Sequence, residues 1–205
     1  MSELKRGEAK RLALLQATAG LIMEKGIAAV TTREVAERAG STERTLFKQF
    51  GSKEGLLTEV LDHVARMQLA QSGFASLSDP PRTLDAFELW HRQMLEERAS
   101  ATLPRTEVGR LFLLEILQND AFKARYGESW LEALWRPLVA CLDGLKAAGE
   151  VDDAQPTPLL AQSFLSLNLG YLVARLNVAP DYAWDTERDV AGIAGFFRRA
   201  IAPKR

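Results

Sequence analysis

The chain has 205 residues, 47% of them apolar, and a formal net charge of −1. That fits one compact domain, or a small domain joined to a larger one, and gives no overall pull toward nucleic acid. A single cysteine, Cys141, excludes an internal disulfide framework. The charged start MSELKRGEAKR lacks a signal peptide's apolar core, and no window approaches about 20 uninterrupted apolar residues, so a soluble, cytoplasmic protein with no membrane partner is expected.

Periodicity is helical nearly everywhere. Over residues 8–25, Leu12, Leu15, Ala19 and Ile22 recur at spacings of three and four and predict one buried face. Gly26 then ends the helix. Thr31 and Glu34 have capping-box spacing and announce a short helix with Val35, Ala36 and Ala39 inward. Gly40 closes it. Thr42 caps the next helix, with Leu46 and Phe50 inward, and Gly51 breaks it. Ser52 opens a long helix from 53 to about 72, with Leu56, Val60, Val64 and Met67 on one face.

SLSDPPR, residues 76–82, interrupts the pattern with two prolines. Further helices are expected over 83–100, 104–118, 128–148, 157–177 and 185–201. No stretch alternates with strand period. The predicted class is all-α with about nine helices. Charge is mildly uneven: eleven Lys/Arg face nine Asp/Glu in residues 1–66, leaving fifteen against eighteen beyond.

Residues 32–51 read TREVAERAGSTERTLFKQFG. Two short helices meet at a turn containing Gly40. Ala36 is small enough for a close crossing, and Leu46 and Phe50 bury one face of the second helix. The opposite face is polar. That is the pattern of a helix-turn-helix, whose second helix meets base edges. Short helical hairpins used only for packing share it in part.

GIAAVTTREVAERAGSTERTLFKQFGSKEGLL resembles the N-terminal DNA-binding domain of TetR/AcrR-type transcriptional repressors. The shared features are TTREVAERAG, the TLFxxF core and SKEGLL, and they cover roughly residues 8–60. The resemblance implies a TetR-like homodimer binding double-stranded operator DNA. Residues 1–52 would form the helix-turn-helix domain, helix 53–72 the connection, and 53–205 the ligand-binding and dimerisation domain. It also implies DNA-binding roles for Thr32, Arg33, Thr42, Glu43, Arg44, Thr45, Phe47, Lys48, Gln49 and Lys53. Arg44 suits guanine and Gln49 adenine; Thr45 suits a base or a thymine methyl. Lys48 and Lys53 suit phosphates, as do Thr32 and Arg33. Phe47 stands where the family often has tyrosine, losing a hydroxyl. Ser41 stands where it has a branched apolar residue, leaving the turn less plugged. Glu43 repels phosphates unless it accepts from a cytosine or pairs with Arg44.

PLLAQSFLSLNLGYLVARL is apolar nearly all round, and Ser163, Ser166, Gly170 and Ala174 allow close helix approach. Gly192 and Gly195 do the same beside Phe196, Phe197 and Ile201. In the family these last two helices build the dimer interface. The ligand-binding set is Trp90, Met94, Phe112, Ile116, Trp130, Trp135, Asn168 and Tyr171, with His91, Leu113, Leu134, Leu138 and Arg175 nearby in the pattern; such residues equally line helical cores. Asn168 needs a partner, whether a ligand, the other subunit or a backbone carbonyl.

Enzyme readings find no support. Glu88 and His91 make one E-x-x-H pair, but Glu59 and His63 are four apart, so a di-iron set lacks its second half. Cys141 reads as a buried thiol. No cofactor or metal is expected. The expected function is a repressor released from a palindromic operator by a small, largely apolar ligand. The alternative is a DNA-binding organiser or adaptor regulated by a protein partner.

Overall fold

A computed structural model describes residues 3–70, 73–100 and 115–204. Among them every regular element is helical. The α-helices are α1 (Glu3–Lys25), α2 (Thr32–Arg38), α3 (Glu43–Phe50), α4 (Lys53–Ala70), α5 (Leu84–Ala99), α6 (Asp120–Trp130), α7 (Arg136–Ala147), α8 (Thr157–Val173) and α9 (Thr186–Ile201). Residues 115–118 are also helical. The rest of the helix expected at 104–118, with Phe112 and Leu113, lies outside the described residues, as do the expected end near 72 and the Met67 side chain.

The chain forms two compact units: Met1–Met67 with Leu103–Tyr126, and Gln68–Thr102 with Gly127–Arg205. This differs from a division after Ser52. The reason is packing: Leu56, Val60 and Val64 of α4 are buried in the same core as α1, α2 and α3.

In the first unit that core holds Leu14, Leu15, Leu21, Ile22, Val30, Val35, Leu46 and Phe50. The buried face of α1 is therefore turned from the expected one. Leu12 is 43% exposed and Ala19 half-buried, whereas Leu14 and Thr18 are fully buried. LALLQATAGLI contains two overlapping apolar stripes. The packed one includes Thr18 because its hydroxyl donates to the Leu14 carbonyl at 2.7 Å, which removes the cost of burying it. Helix α1 also begins at Glu3, earlier than expected, and carries Gly7 within its first turns. A smaller cluster joins Leu61, Ala65 and Phe122, with Ile116 and Tyr126 against it.

In the second unit, Phe74–Ser78 forms a short 3-10 turn that overlaps the start of the expected interruption and buries Phe74 and Leu77. Helix α6 begins at Asp120, not 128, because Asn119 Oδ1 accepts from the Phe122 amide at 3.0 Å. It runs on through a π-helical turn, Leu131–Trp135, into α7. A second π-helical turn, Ala174–Val178, continues α8, with the Ala179 amide bonded five residues back to the Ala174 carbonyl at 2.8 Å. At the end of α7, Gly149 and Glu150 amides return to the Lys146 and Leu145 carbonyls, both at 2.9 Å, a Schellman close. Glu150 Oε2 then accepts from the Leu84 amide at 2.8 Å and joins Thr83 in capping α5.

Phe164 of α8 centres this unit's core. It is fully buried and stacks on Trp90 at 5.8 Å, meets Phe197 edge-on at 5.1 Å and lies 4.4 Å from the His91 ring. Cys141 is buried in the same core, which pushes its thiol up to about 11 and keeps it neutral and inert.

Candidate functional site

Helices α2 and α3 are held by their own ends. Thr31 accepts from the Glu34 amide at 3.3 Å, and Glu34 Oε2 accepts from the Thr31 amide at 3.1 Å, a complete capping box. Lys25 bonds Glu34 at 2.5 Å; that bond and Thr31 hold the Glu34 carboxyl down at about 2. Gly40, at φ +57°, closes the turn: its amide reaches the Glu37 carbonyl at 3.1 Å, and the Ser41 amide reaches Ala36 at 2.8 Å. Backbone bonds thus close the turn, whatever side chain stands at Ser41. Thr42 accepts from the Thr45 amide at 3.2 Å and caps α3.

With Leu46 and Phe50 buried, α3 turns Thr42, Glu43, Arg44, Phe47 and Lys48 outward, with Thr45 half-buried among them. Among the described residues neither Arg44 nor Lys48 has an ion-pair partner. Phe47 is 44% exposed. Thr45 Oγ1 lies 3.0 Å from Thr42 Oγ1. Thr32 donates from its hydroxyl to Glu43 Oε1 at 2.5 Å, and Arg33 pairs with Glu37 at 3.0 Å. Glu43 thus meets Thr32, not Arg44. Gln49 is turned away from this face: its amide nitrogen approaches the Gly7 carbonyl of α1 at 3.5 Å. Lys53 is half-buried and donates to the Val30 carbonyl at 2.6 Å, which leaves two of its hydrogens for another acceptor. Arg11, absent from the predicted set, fastens α3 to its neighbours. It lies over the Phe50 ring at 4.8 Å, pairs with Glu59 at 2.7 Å and donates to the Gln49 carbonyl at 3.4 Å. Only its basic character marked it in the sequence.

The residues expected around a ligand do not all meet. Trp90 and Met94 line an open depression of about 330 Å³ with Gly73, Ala75, Ser76, Gln93 and Glu97. Positions 90, 93, 94 and 97 are one face of α5, so Gln93 and Glu97 were reachable by helical spacing. The Trp90 indole donates to Ser76 Oγ at 2.9 Å. Trp130 and Trp135 stack on each other at 5.9 Å. Tyr171 meets Trp184 edge-on at 5.8 Å, and its hydroxyl accepts from Arg175 at 3.4 Å. Ile116 packs in the first unit with Leu61, Ala65 and Phe122. Glu88 pairs with Arg198 at 3.0 Å.

Asn168 finds its partners inside the unit. Its amide nitrogen donates to the Phe164 carbonyl at 2.7 Å, so its oxygen accepts from His91 Nε2 at 2.8 Å. That assigns His91 as the neutral Nε2–H tautomer. Burial holds the His91 imidazole down at about 4, against the raising effect of Asn168. The unfolded chain carries this histidine near the ordinary 6.5. Between 6.5 and about 4 it therefore binds a proton that the folded chain refuses. Stability from this source is complete above pH 6.5 and falls with pH through that window, by about 2 kcal/mol between pH 6.5 and 5. Urea midpoints followed from about pH 7.5 to 5 should fall more steeply for the wild type than for His91→Gln. Equal slopes would refute the assignment.

Helices α8 and α9 leave apolar surface open. Leu169 is 61% exposed, Phe196 59% and Leu159 47%, with Ser163, Ser166, Gly170 and Gly192 exposed beside them. Ala174 and Gly195 are half-buried. The helix Thr157–Val178 has 22 residues and is long and apolar enough, by length and composition, to cross a membrane.

A capped helix-turn-helix on a small core, followed by a larger helical unit, defines a class: all-α helix-turn-helix proteins. Residues 14–60 match the family model described as bacterial regulatory proteins, tetR family. The HTH-type transcriptional regulator YvkB of Bacillus subtilis is 42% identical over 48 residues, 23% of this chain and 25% of that protein. The chain thus spans about a quarter of the length of the first curated relatives it matches. A TetR-family transcriptional regulator structure from Mesorhizobium loti superposes with a TM-score of 0.73 at 18% identity, covering 97% of this chain and 99% of that one. SmeT, the repressor of the Stenotrophomonas maltophilia multidrug efflux pump SmeDEF, gives 0.65 at 17% identity, over 95% and 91%; it is also solved as a triclosan complex. Residues 14–60 are thus similar to the tetR-family DNA-binding region, and the chain shares the fold of these TetR-family structures.

Proposed function

We propose that the chain is a DNA-binding transcriptional regulator, acting as a homodimeric repressor on a two-fold symmetric operator. The observation that carries this reading is the outward face of α3. Arg44 and Lys48 stand on a helix clamped from behind by Leu46 and Phe50, with no ion pair of their own among the described residues. Arg44 suits bidentate donation to a guanine, and Lys48 and Lys53 suit phosphates. Thr32, Arg33, Thr42, Thr45 and Phe47 complete the surface at its edge. The first unit, with Lys53 at the start of α4, would bind DNA, while the second would sense and dimerise, with α4 as the connection.

Fluorescence anisotropy on a selected operator tests the contacts. Arg44→Ala should cost about 1–3 kcal/mol and relax selectivity at one position per half-site. Lys48→Ala should weaken all sequences alike and reduce the salt slope by about one. Binding unaffected by either change would remove α3 as the reading helix. Lys53→Ala should also weaken every sequence, but it loses the Val30 bond as well.

Dimerisation through α8 and α9 is supported by the open apolar surface around Leu169 and Phe196. Sedimentation at micromolar concentration should give twice the chain mass, and Leu169→Glu should give the monomer with much weaker operator binding. A monomeric wild type would overturn this part.

The effector reading is a small, largely apolar ligand in the second unit. It is supported by the depression beside Trp90 and Met94 and by the triclosan complex of the fold relative SmeT. Triclosan is the first probe: ligand and operator should weaken each other's binding by the same factor. The alternative, regulation by a protein partner, is favoured by one observation. The Asn168 amide is already satisfied by His91 and Phe164.

A further inference from the structure

Glu43 is the one acid on the face that would meet DNA, and a carboxylate there works against every phosphate nearby. It is exposed, and among the described residues it makes no ion pair. Arg33, on the neighbouring helix α2, is engaged with Glu37 at 3.0 Å. Glu43 is held instead by a neutral donor. Thr32 Oγ1 gives its hydrogen to Glu43 Oε1 at 2.5 Å and ties the first turn of α3 to the first turn of α2. That bond fixes a side chain that otherwise has three rotatable bonds to restrain. Among the described residues Oε2 accepts no other bond, and the carboxylate's charge stays shared between its two oxygens.

We infer that Glu43, aimed by Thr32, is a specificity-determining residue that accepts a hydrogen bond from the exocyclic amino group of a cytosine in each half-site. The inference rests on the reading of α3 as the helix that enters the major groove. There, the N-terminal residues of the second helix contact base edges. Guanine presents two acceptors to the groove and thymine an acceptor beside its methyl, so both repel a carboxylate. Adenine sets its donor next to an acceptor. Cytosine presents its amino group alone. A carboxylate at this position therefore favours cytosine and rejects guanine. It gives up phosphate affinity on all sequences for discrimination at one position.

The test is selection of bound duplexes from a random library by the full chain, with sequencing of the bound fraction. The wild type should enrich a two-fold symmetric sequence with cytosine favoured at one position of each half-site by about tenfold over guanine. Glu43→Gln keeps the length but presents a donor and an acceptor together, so the same position should move toward adenine. Glu43→Ala should level that position to within about twofold. Thr32→Val should weaken the cytosine preference at the same position, and Thr32→Ser should keep it. If Glu43→Gln and Glu43→Ala select the wild-type base everywhere, the inference is wrong while the DNA reading stands. If only Thr32→Val is without effect, the aiming role of Thr32 is wrong. A wild type that enriches no symmetric sequence would sink the DNA reading itself and this inference with it.

Discussion

Replacing Phe164 by alanine should cost about 3–5 kcal/mol of stability. The residue is fully buried, and Phe74, Phe87, Trp90, His91 and Phe197 all pack their rings against it. Two of these neighbours are held by hydrogen bonds and cannot simply collapse into the space. The Trp90 indole is fixed by Ser76, and His91 by Asn168. The loss is therefore expected near the upper end of the range. It is a large part of a domain's usual 5–15 kcal/mol. The chain supplies its own reporter. All four tryptophans, Trp90, Trp130, Trp135 and Trp184, belong to the second unit. A urea titration read by tryptophan fluorescence should show a midpoint far below the wild type's. A shift equivalent to less than about 1 kcal/mol would mean that the ring cluster is not what holds this unit together.

Leu46→Ala should have a comparable effect on the other unit, about 2–5 kcal/mol, with a different signature. Helix α3 spans only Glu43–Phe50 and is too short to persist alone. Leu46, fully buried, and Phe50 are its anchors to the core, and the Thr42 cap and the Gly51 close only define its ends. Truncating Leu46 removes the central anchor without touching an outward side chain. Operator binding should fall by at least tenfold although every proposed contact residue is still present. Far-UV circular dichroism should lose helical signal at lower urea than in the wild type, while the tryptophan transition stays near its original midpoint. Full operator affinity in a chain carrying Leu46→Ala would contradict the role given to this anchor.

What the sequence made legible follows from the range of the forces involved. The turn at Gly40, the caps at Thr31 and Thr42 and the Leu46–Phe50 pair are all set within about four residues. Each was readable as spacing, and so was the all-α class. The face of α1 was not. LALLQATAGLI offers two stripes, and the choice between them belongs to the helices that pack there and to a hydroxyl that finds the Leu14 carbonyl. The pairing of His91 with Asn168 joins residues 77 apart, so Asn168 could be known to need a partner but not which one. Gln49 fits the pattern of a base reader by position, yet it reaches toward Gly7, a contact made by the return of α1 against α3. Ile116 and Trp90 share a composition and occupy different units. Apolar character alone carries no address.

The two π-helical turns make a rotation that composition cannot display. Trp130 and Trp135 are five apart, which in an α-helix would set them about 140° from each other; across the wider turn they stack at 5.9 Å. In α8 the same device keeps Phe164 and Leu176 both buried, although twelve positions of regular α-helix would leave them about 120° out of phase. A π turn is an α-helix carrying one surplus residue. The surplus at Ala174–Val178 therefore acts as a phase correction written into chain length. Deleting a single residue there would straighten the helix and swing Leu176 and Arg175 out of the places they now hold. Arg175 would lose its bonds to the Ala99 carbonyl and the Thr186 hydroxyl. In this segment the count of residues is a structural variable in its own right, as consequential as their identity.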